Sequence, residues 1–118
     1  MTTDVPAVDY NPDPGMKIET VFSDNDLLIA NKPSGLLSVP GRGAEKSVCL
    51  TSLLETDHGA VRAVHRLDMD TSGLIVLARN DSVHRALSRA FERRQVEKQY
   101  EAVVLGEPES VCGLIDLP

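Results

Sequence analysis

The chain has 118 residues, 42% of them hydrophobic and only 3% aromatic, and its 12 Lys and Arg against 18 Asp and Glu leave a net charge of −6. One domain at most fits this length, and with two Phe, two Tyr and no Trp any core must be aliphatic; the apolar content excludes a wholly disordered chain. The acidic balance excludes tight, sequence-independent binding of nucleic acid over the whole surface, although residues 60–100 carry eight basic and five acidic residues and so form a basic stretch.

Residues 1–15 hold Pro6, Pro12 and Pro14 among acidic and small residues and are expected to be a mobile arm, with the domain following from residue 16. Lys17 to Phe22 alternates at period two, Asp24-Asn25-Asp26 is a turn signal, and Leu27 to Ala30 is a short apolar run, which predicts a hairpin. Asn31 to Arg42 is rich in Gly and Pro yet keeps Leu36, Leu37 and Val39, as an ordered loop packed on the body would. Ser47 to Thr56 reads as a short helix with Ser47 as N-cap, ending around Gly59. Leu74 to Leu77 is expected as a strand buried on both faces, followed by a helix capped by Asp81 or Ser82 and running to about Arg94. Val83, Ala86, Leu87, Ala90 and Phe91 form its apolar stripe, and Arg85, Arg89 and Arg93 a second stripe on another face. Lys98 to Leu105 alternates as a further buried strand, stopped by Gly106-Glu107-Pro108. This order predicts an α+β or mixed α/β fold without internal repeats.

Cys49 and Cys112 stand far apart and outside any C-x-x-C pair, as free thiols of a reducing cytoplasm would. His58, His65 and His84 lack ligand spacing, so no metal is expected. The N-terminus has no basic and apolar regions of a secretory signal, and the longest apolar run, Leu74 to Ala78, is far too short for a membrane span.

Chemistry concentrates in His65-Arg66-Leu67-Asp68-Met69-Asp70-Thr71-Ser72-Gly73. As a plain turn, Asp68 or Asp70 would accept backbone N–H bonds, Gly73 would supply a positive φ and Arg66 a surface ion pair. As a carboxylate pair, Asp68 and Asp70 would share one side of an extended backbone. A triad of His65, Asp68 and Ser72 is disfavoured, because three members crowded into eight residues rarely converge on one point.

The same segment resembles the signature loop HRLD-x-x-TSG of the RluA family of pseudouridine synthases. Asn31-Lys32-Pro33-Ser34-Gly35 after an apolar strand, and Lys98-Gln99-Tyr100-x-Ala102-x-Val104-x-Gly106 after a basic helix, are similar to that family's other landmarks in the same order. Leu36 to Arg42 is most similar to the subgroup that modifies both ribosomal RNA and the anticodon arm of tRNA. The resemblance implies an α+β pseudouridine synthase fold with a mixed, mainly antiparallel sheet, and an isomerase that needs no cofactor or metal. It implies Asp68 as the essential carboxylate and Tyr100 as a residue that stacks on the flipped uracil and shuttles a proton. Arg66 would keep Asp68 ionised and fill the gap left by the extracted base, Thr71 would shape the loop, and His65, Arg85 and Arg89 complete the substrate-binding set. The implied partner is a structured RNA, a ribosomal RNA or tRNA stem-loop, and the complete protein is expected to be a cytoplasmic monomer.

A later family landmark, Gly-Arg-x-His-Gln-Leu-Arg, does not occur in these 118 residues. Residues 16–118 are therefore expected to form the N-terminal part of the catalytic domain, inactive or nearly so alone, with an exposed apolar face and an unpaired strand edge. A non-catalytic RNA-binding or interaction fragment of the same fold is the alternative.

Overall fold

The computed structural model describes residues 9–116. Its elements, in chain order, are β1 (Glu19–Ser23), β2 (Leu27–Lys32), α1 (Leu50–His58), β3 (Arg62–Ala63), β4 (Gly73–Ala78) and α2 (Asp81–Glu92), with a single 3-10 turn at Ala44–Lys46. The strands form one sheet in the order β1-β2-β4-β3, and all three pairings are antiparallel.

The hairpin follows the sequence pattern. The Asp24 carboxylate accepts from the backbone N–H groups of Asp26 and Leu27, both at 2.8 Å, which closes the turn between β1 and β2. Those two bonds hold the Asp24 carboxyl below its ordinary pKa. β1 is an edge strand with an irregular register between Thr20 and Phe22, so Val21 and Phe22 stay exposed.

Period-two alternation places Leu28, Ala30 and Lys32 of β2 on one sheet face, in register with Leu77, Ile75 and Gly73 of β4. Against this face pack Leu50, Leu53 and Leu54 of α1 together with Leu36 and Leu67 from the loops, forming one aliphatic core. The opposite face is only partly covered by α2. Leu74 is 61% exposed, so β4 is not buried on both faces as its unbroken apolar run suggested. An apolar run reports hydrophobicity, whereas burial of the second face needs a second covering layer.

Both helix caps lie elsewhere than the sequence pattern suggested. Ser47 follows the 3-10 turn and donates to the Ala44 carbonyl (2.8 Å), leaving Cys49 as the N-cap of α1. The Cys49 N–H donates to Ser52 Oγ (2.9 Å), and the loop carbonyls of Leu37 and Ser38 accept from the first-turn N–H groups of Leu50 and Thr51. α1 ends at Gly59, as expected. Asn80, not Asp81 or Ser82, caps α2, its Oδ1 accepting from Val83 N at 2.9 Å. Asp81 instead pairs with Arg62 of β3.

Lys98 to Leu105 forms no strand: it has no regular structure and no partner strand among the described residues, and Val103, Val104 and Leu105 are exposed. Alternation alone cannot make a strand without a neighbouring ladder to bond to. The first eight residues of the expected arm lie outside the described residues. Tyr10, within that arm, accepts from Leu37 N (3.1 Å) and donates to the Val48 carbonyl (2.6 Å).

Candidate active site

The residues 67–70 bridge the core and the solvent, and their backbone is pinned at every step. The Leu67 carbonyl accepts from Ser38 Oγ (2.7 Å), which in turn accepts from Leu67 N (3.1 Å). The Asp68 carbonyl accepts from Thr71 N (3.0 Å) and closes a turn. The Met69 carbonyl accepts from both Gly35 N (2.8 Å) and Lys32 Nζ (2.9 Å), and the Asp70 carbonyl from Ser34 Oγ (2.8 Å). Four successive carbonyls are thus held, three of them by the segment that follows β2. Gly73 then starts β4 with φ 132°, a backbone state that L side chains rarely adopt, although a Cβ there would meet no atom within 4 Å.

Lys32 is the key to this loop. It is fully buried, and its three ammonium protons meet three carbonyls, those of Pro33 (3.0 Å), Leu36 (2.6 Å) and Met69 (2.9 Å). Burial pushes its pKa below the ordinary lysine value, and the charges of Asp70 and Asp68 pull it part of the way back. The buried Lys32 ammonium and the carboxylates of Asp70 and Asp68 thus attract one another without direct contact. The Asp68 and Arg66 side chains are exposed and, among the described residues, make no hydrogen bond or ion pair, with each other or with any other group.

His65 enters the loop from the other side. Its Nε2 accepts from Val76 N of β4 (3.0 Å), and its ring stacks on Phe91 of α2 at 4.4 Å between centroids and 15° between planes. Burial, reinforced by the charge of Lys98, lowers the pKa of His65, which keeps the imidazole neutral so that it can accept this bond.

An open cleft of about 760 Å³ lies between β4, α2 and the stretch after α2. Among its lining residues are His65, Thr71, Val76, Phe91, Lys98 and Tyr100. His65, Thr71 and Tyr100 are thus gathered around one space, with Tyr100 61% exposed. Leu67 and Asp70 of the pinned loop also line it, whereas Asp68 and Arg66 do not. Arg85 and Arg89 project from the exposed face of α2, away from the face that carries Phe91. Among the described residues no cluster of three or more His, Cys, Asp or Glu could hold a metal ion, and no helix is long and apolar enough to cross a membrane.

Sequence reasoning named Asn31 to Gly35 as a landmark but assigned Lys32 no role. The signal was present: in Leu28-x-Ala30-x-Lys32 the lysine falls on the buried side of an alternating strand, where a charge needs dedicated partners.

A chain of this fold, with a free carboxylate on a pinned loop beside an open cleft, has clear relatives. A sequence profile of the RNA pseudouridylate synthase family matches residues 26–118, and the chain belongs to that family. The dual-specificity RNA pseudouridine synthase RluA of Escherichia coli O6:H1 is 43% identical over 109 residues, 92% of this chain and 50% of that protein. Its namesake in Vibrio parahaemolyticus is 47% identical over 111 residues, 94% of this chain and 44% of that protein. The chain therefore spans about half the length of the curated relatives it matches. Among solved structures, human RNA pseudouridylate synthase domain containing 4 superposes with a TM-score of 0.51 at 29% identity, covering 65% of this chain and 30% of that one. Human RNA pseudouridylate synthase domain containing 1 gives 0.56 at 23% identity, over 70% of this chain and 30% of that one, a likeness of fold.

Proposed function

We propose that the whole protein is an RNA pseudouridine synthase that isomerises uridine in a ribosomal RNA or tRNA stem-loop in the cytoplasm, and that residues 16–118 are the N-terminal part of its catalytic domain. The reaction breaks the C1′–N1 bond of uridine and forms a C1′–C5 bond. The proton leaves C5 and another is gained at N1, so the change is redox-neutral. Asp68 is the essential carboxylate, acting as nucleophile at C1′ or as base at C2′. A carboxylate suits either role because positive character develops at the sugar carbon as the glycosidic bond opens. Tyr100 stacks on the uracil turned out of the RNA and relays the proton leaving C5. Arg66 occupies the gap left by that base, Thr71 shapes the loop, His65 borders the bound nucleotide, and Arg85 and Arg89 meet the RNA phosphates.

The observation that carries this reading is the backbone of residues 67–70, fixed at four successive carbonyls while the Asp68 carboxylate stays free of protein partners. Holding the backbone and sparing the functional group is what a preorganised reacting carboxylate requires. The test uses RNA carrying tritium at uridine C5, incubated with the protein as its gene encodes it. Release of tritium to water at specific uridines of ribosomal RNA or tRNA supports the proposal. RNA that is bound but keeps its label favours a non-catalytic RNA-binding protein.

A further inference from the structure

The end of α2 holds an arginine where its backbone geometry favours glycine. Gln95 N donates to the Ala90 carbonyl (2.8 Å) and Arg94 N to the Phe91 carbonyl (3.1 Å), the paired bonds of a Schellman C-terminus. The residue at its left-handed position is Arg94, with φ 54°, the one non-glycine residue of positive φ among the described residues. Glycine adopts this state without the clash that Cβ brings to any other residue, and asparagine tolerates it better than most. An arginine kept there is a local conflict between residue and backbone, and such conflicts concentrate at functional positions.

Three more arginines lead up to it. Arg85, Arg89 and Arg93 recur every fourth residue, so each is displaced by about 40° around the helix and about 6 Å along it, and together they form one continuous ridge. All four guanidinium groups belong to exposed residues, and none has an ion-pair partner among the described residues. Of the two acids on α2, Asp81 is engaged by Arg62, and Glu92 makes no ion pair with the ridge. The ridge runs along the outer face of α2, and only its C-terminal end adjoins the cleft. Phe91 lines one wall of it and Val96 begins the stretch that lines the other, with Arg93 and Arg94 on the link between them.

We infer that Arg94, with Arg85, Arg89 and Arg93, forms a phosphate-binding ridge along which the RNA backbone flanking the target uridine runs to the cleft. This rests on the pseudouridine synthase reading: when one base is turned into a cleft, its flanking phosphates must pass over the adjoining surface, and at the end of α2 that surface carries Arg93 and Arg94. Planar guanidinium groups on long stems suit phosphate oxygens, and four of them free of carboxylates carry affinity that falls steeply with salt.

The test is the salt dependence of binding between the protein as its gene encodes it and a fluorescent RNA stem-loop. Arg94→Gly relieves the left-handed strain, so its melting temperature is expected to match or exceed that of the parent. The same variant should weaken RNA binding and reduce the slope of log affinity against log salt by about 1. Arg85→Gln, Arg89→Gln and Arg93→Gln combined should reduce that slope by about 2 to 3. A slope unchanged in both variants overturns the ridge, including the case in which an acidic polypeptide is the ligand that loses affinity. Tritium release from C5-labelled RNA, measured on the parent, separates the two claims. Reduced slopes without tritium release uphold the ridge and overturn the reaction, and tritium release with unchanged slopes does the reverse.

Discussion

Lys32 and His65 secure the Asp68 loop from opposite sides, and neither does so through charge alone. Lys32 satisfies three carbonyls with three donors. In Lys32→Met the hydrocarbon stem is largely retained, but the Pro33 and Leu36 carbonyls lose their Lys32 donor, while the Met69 carbonyl keeps Gly35 N. The cost of leaving buried acceptors unpaired is about 1–3 kcal/mol each before relaxation or water entry. Denaturant unfolding of the variant should therefore show a loss of at least about 1 kcal/mol, and an unchanged midpoint would mean the carbonyls are satisfied without Lys32. His65 carries a pH dependence. Its folded pKa is depressed, so at pH values below about 6.5 the unfolded chain takes up the proton more readily than the folded one. The His65 contribution to stability is full above about 6.5 and is lost as pH falls through the lower, folded value. Comparing denaturant midpoints at pH 7.5 and at mildly acid pH, His65→Phe should show a smaller acid loss than the parent while keeping a ring against Phe91.

At the scale of elements, the alternating and helical patterns were legible and their ends were not. β1, β2, β4 and α2 lie where periodicity places them, because period and burial face are written in consecutive residues. The caps were misplaced because Ser47, Cys49, Asn80 and Asp81 are chemically plausible neighbours, and partners distant in sequence choose among them. Asn80 is held by Asp26, to which its Nδ2 donates at 3.1 Å, and Asp81 is drawn to Arg62. Asn80→Ala removes the cap acceptor for Val83 N and should lower stability by about 1 kcal/mol, read as a fall in melting temperature. Asp81→Ala, which breaks only an exposed ion pair, should change it far less. The reverse ranking would show that Asp81 is the working cap.

The whole molecule is an aliphatic core on one face of a four-stranded sheet, with the other face and residues 101–116 largely open. The site was legible in unequal parts. The residues of its loop stand together between His65 and Gly73, so the segment announced itself. Lys32 and Ser38 reach it from more than 25 residues away through backbone carbonyls, which leave no trace in composition. The expected strand at Lys98 to Leu105 failed for the matching reason: a ladder needs a second strand, and none of the described residues supplies one there. All of these features converge on Asp68, held by the fold and left chemically free. The most direct measurement is therefore the rate of tritium release from C5-labelled RNA by the protein as its gene encodes it, comparing Asp68→Asn with Asp70→Asn. The pseudouridine synthase reading predicts a loss of at least about a hundredfold for Asp68→Asn and a rate near that of the parent for Asp70→Asn. Substantial activity in Asp68→Asn, or equal loss in both variants, would contradict it.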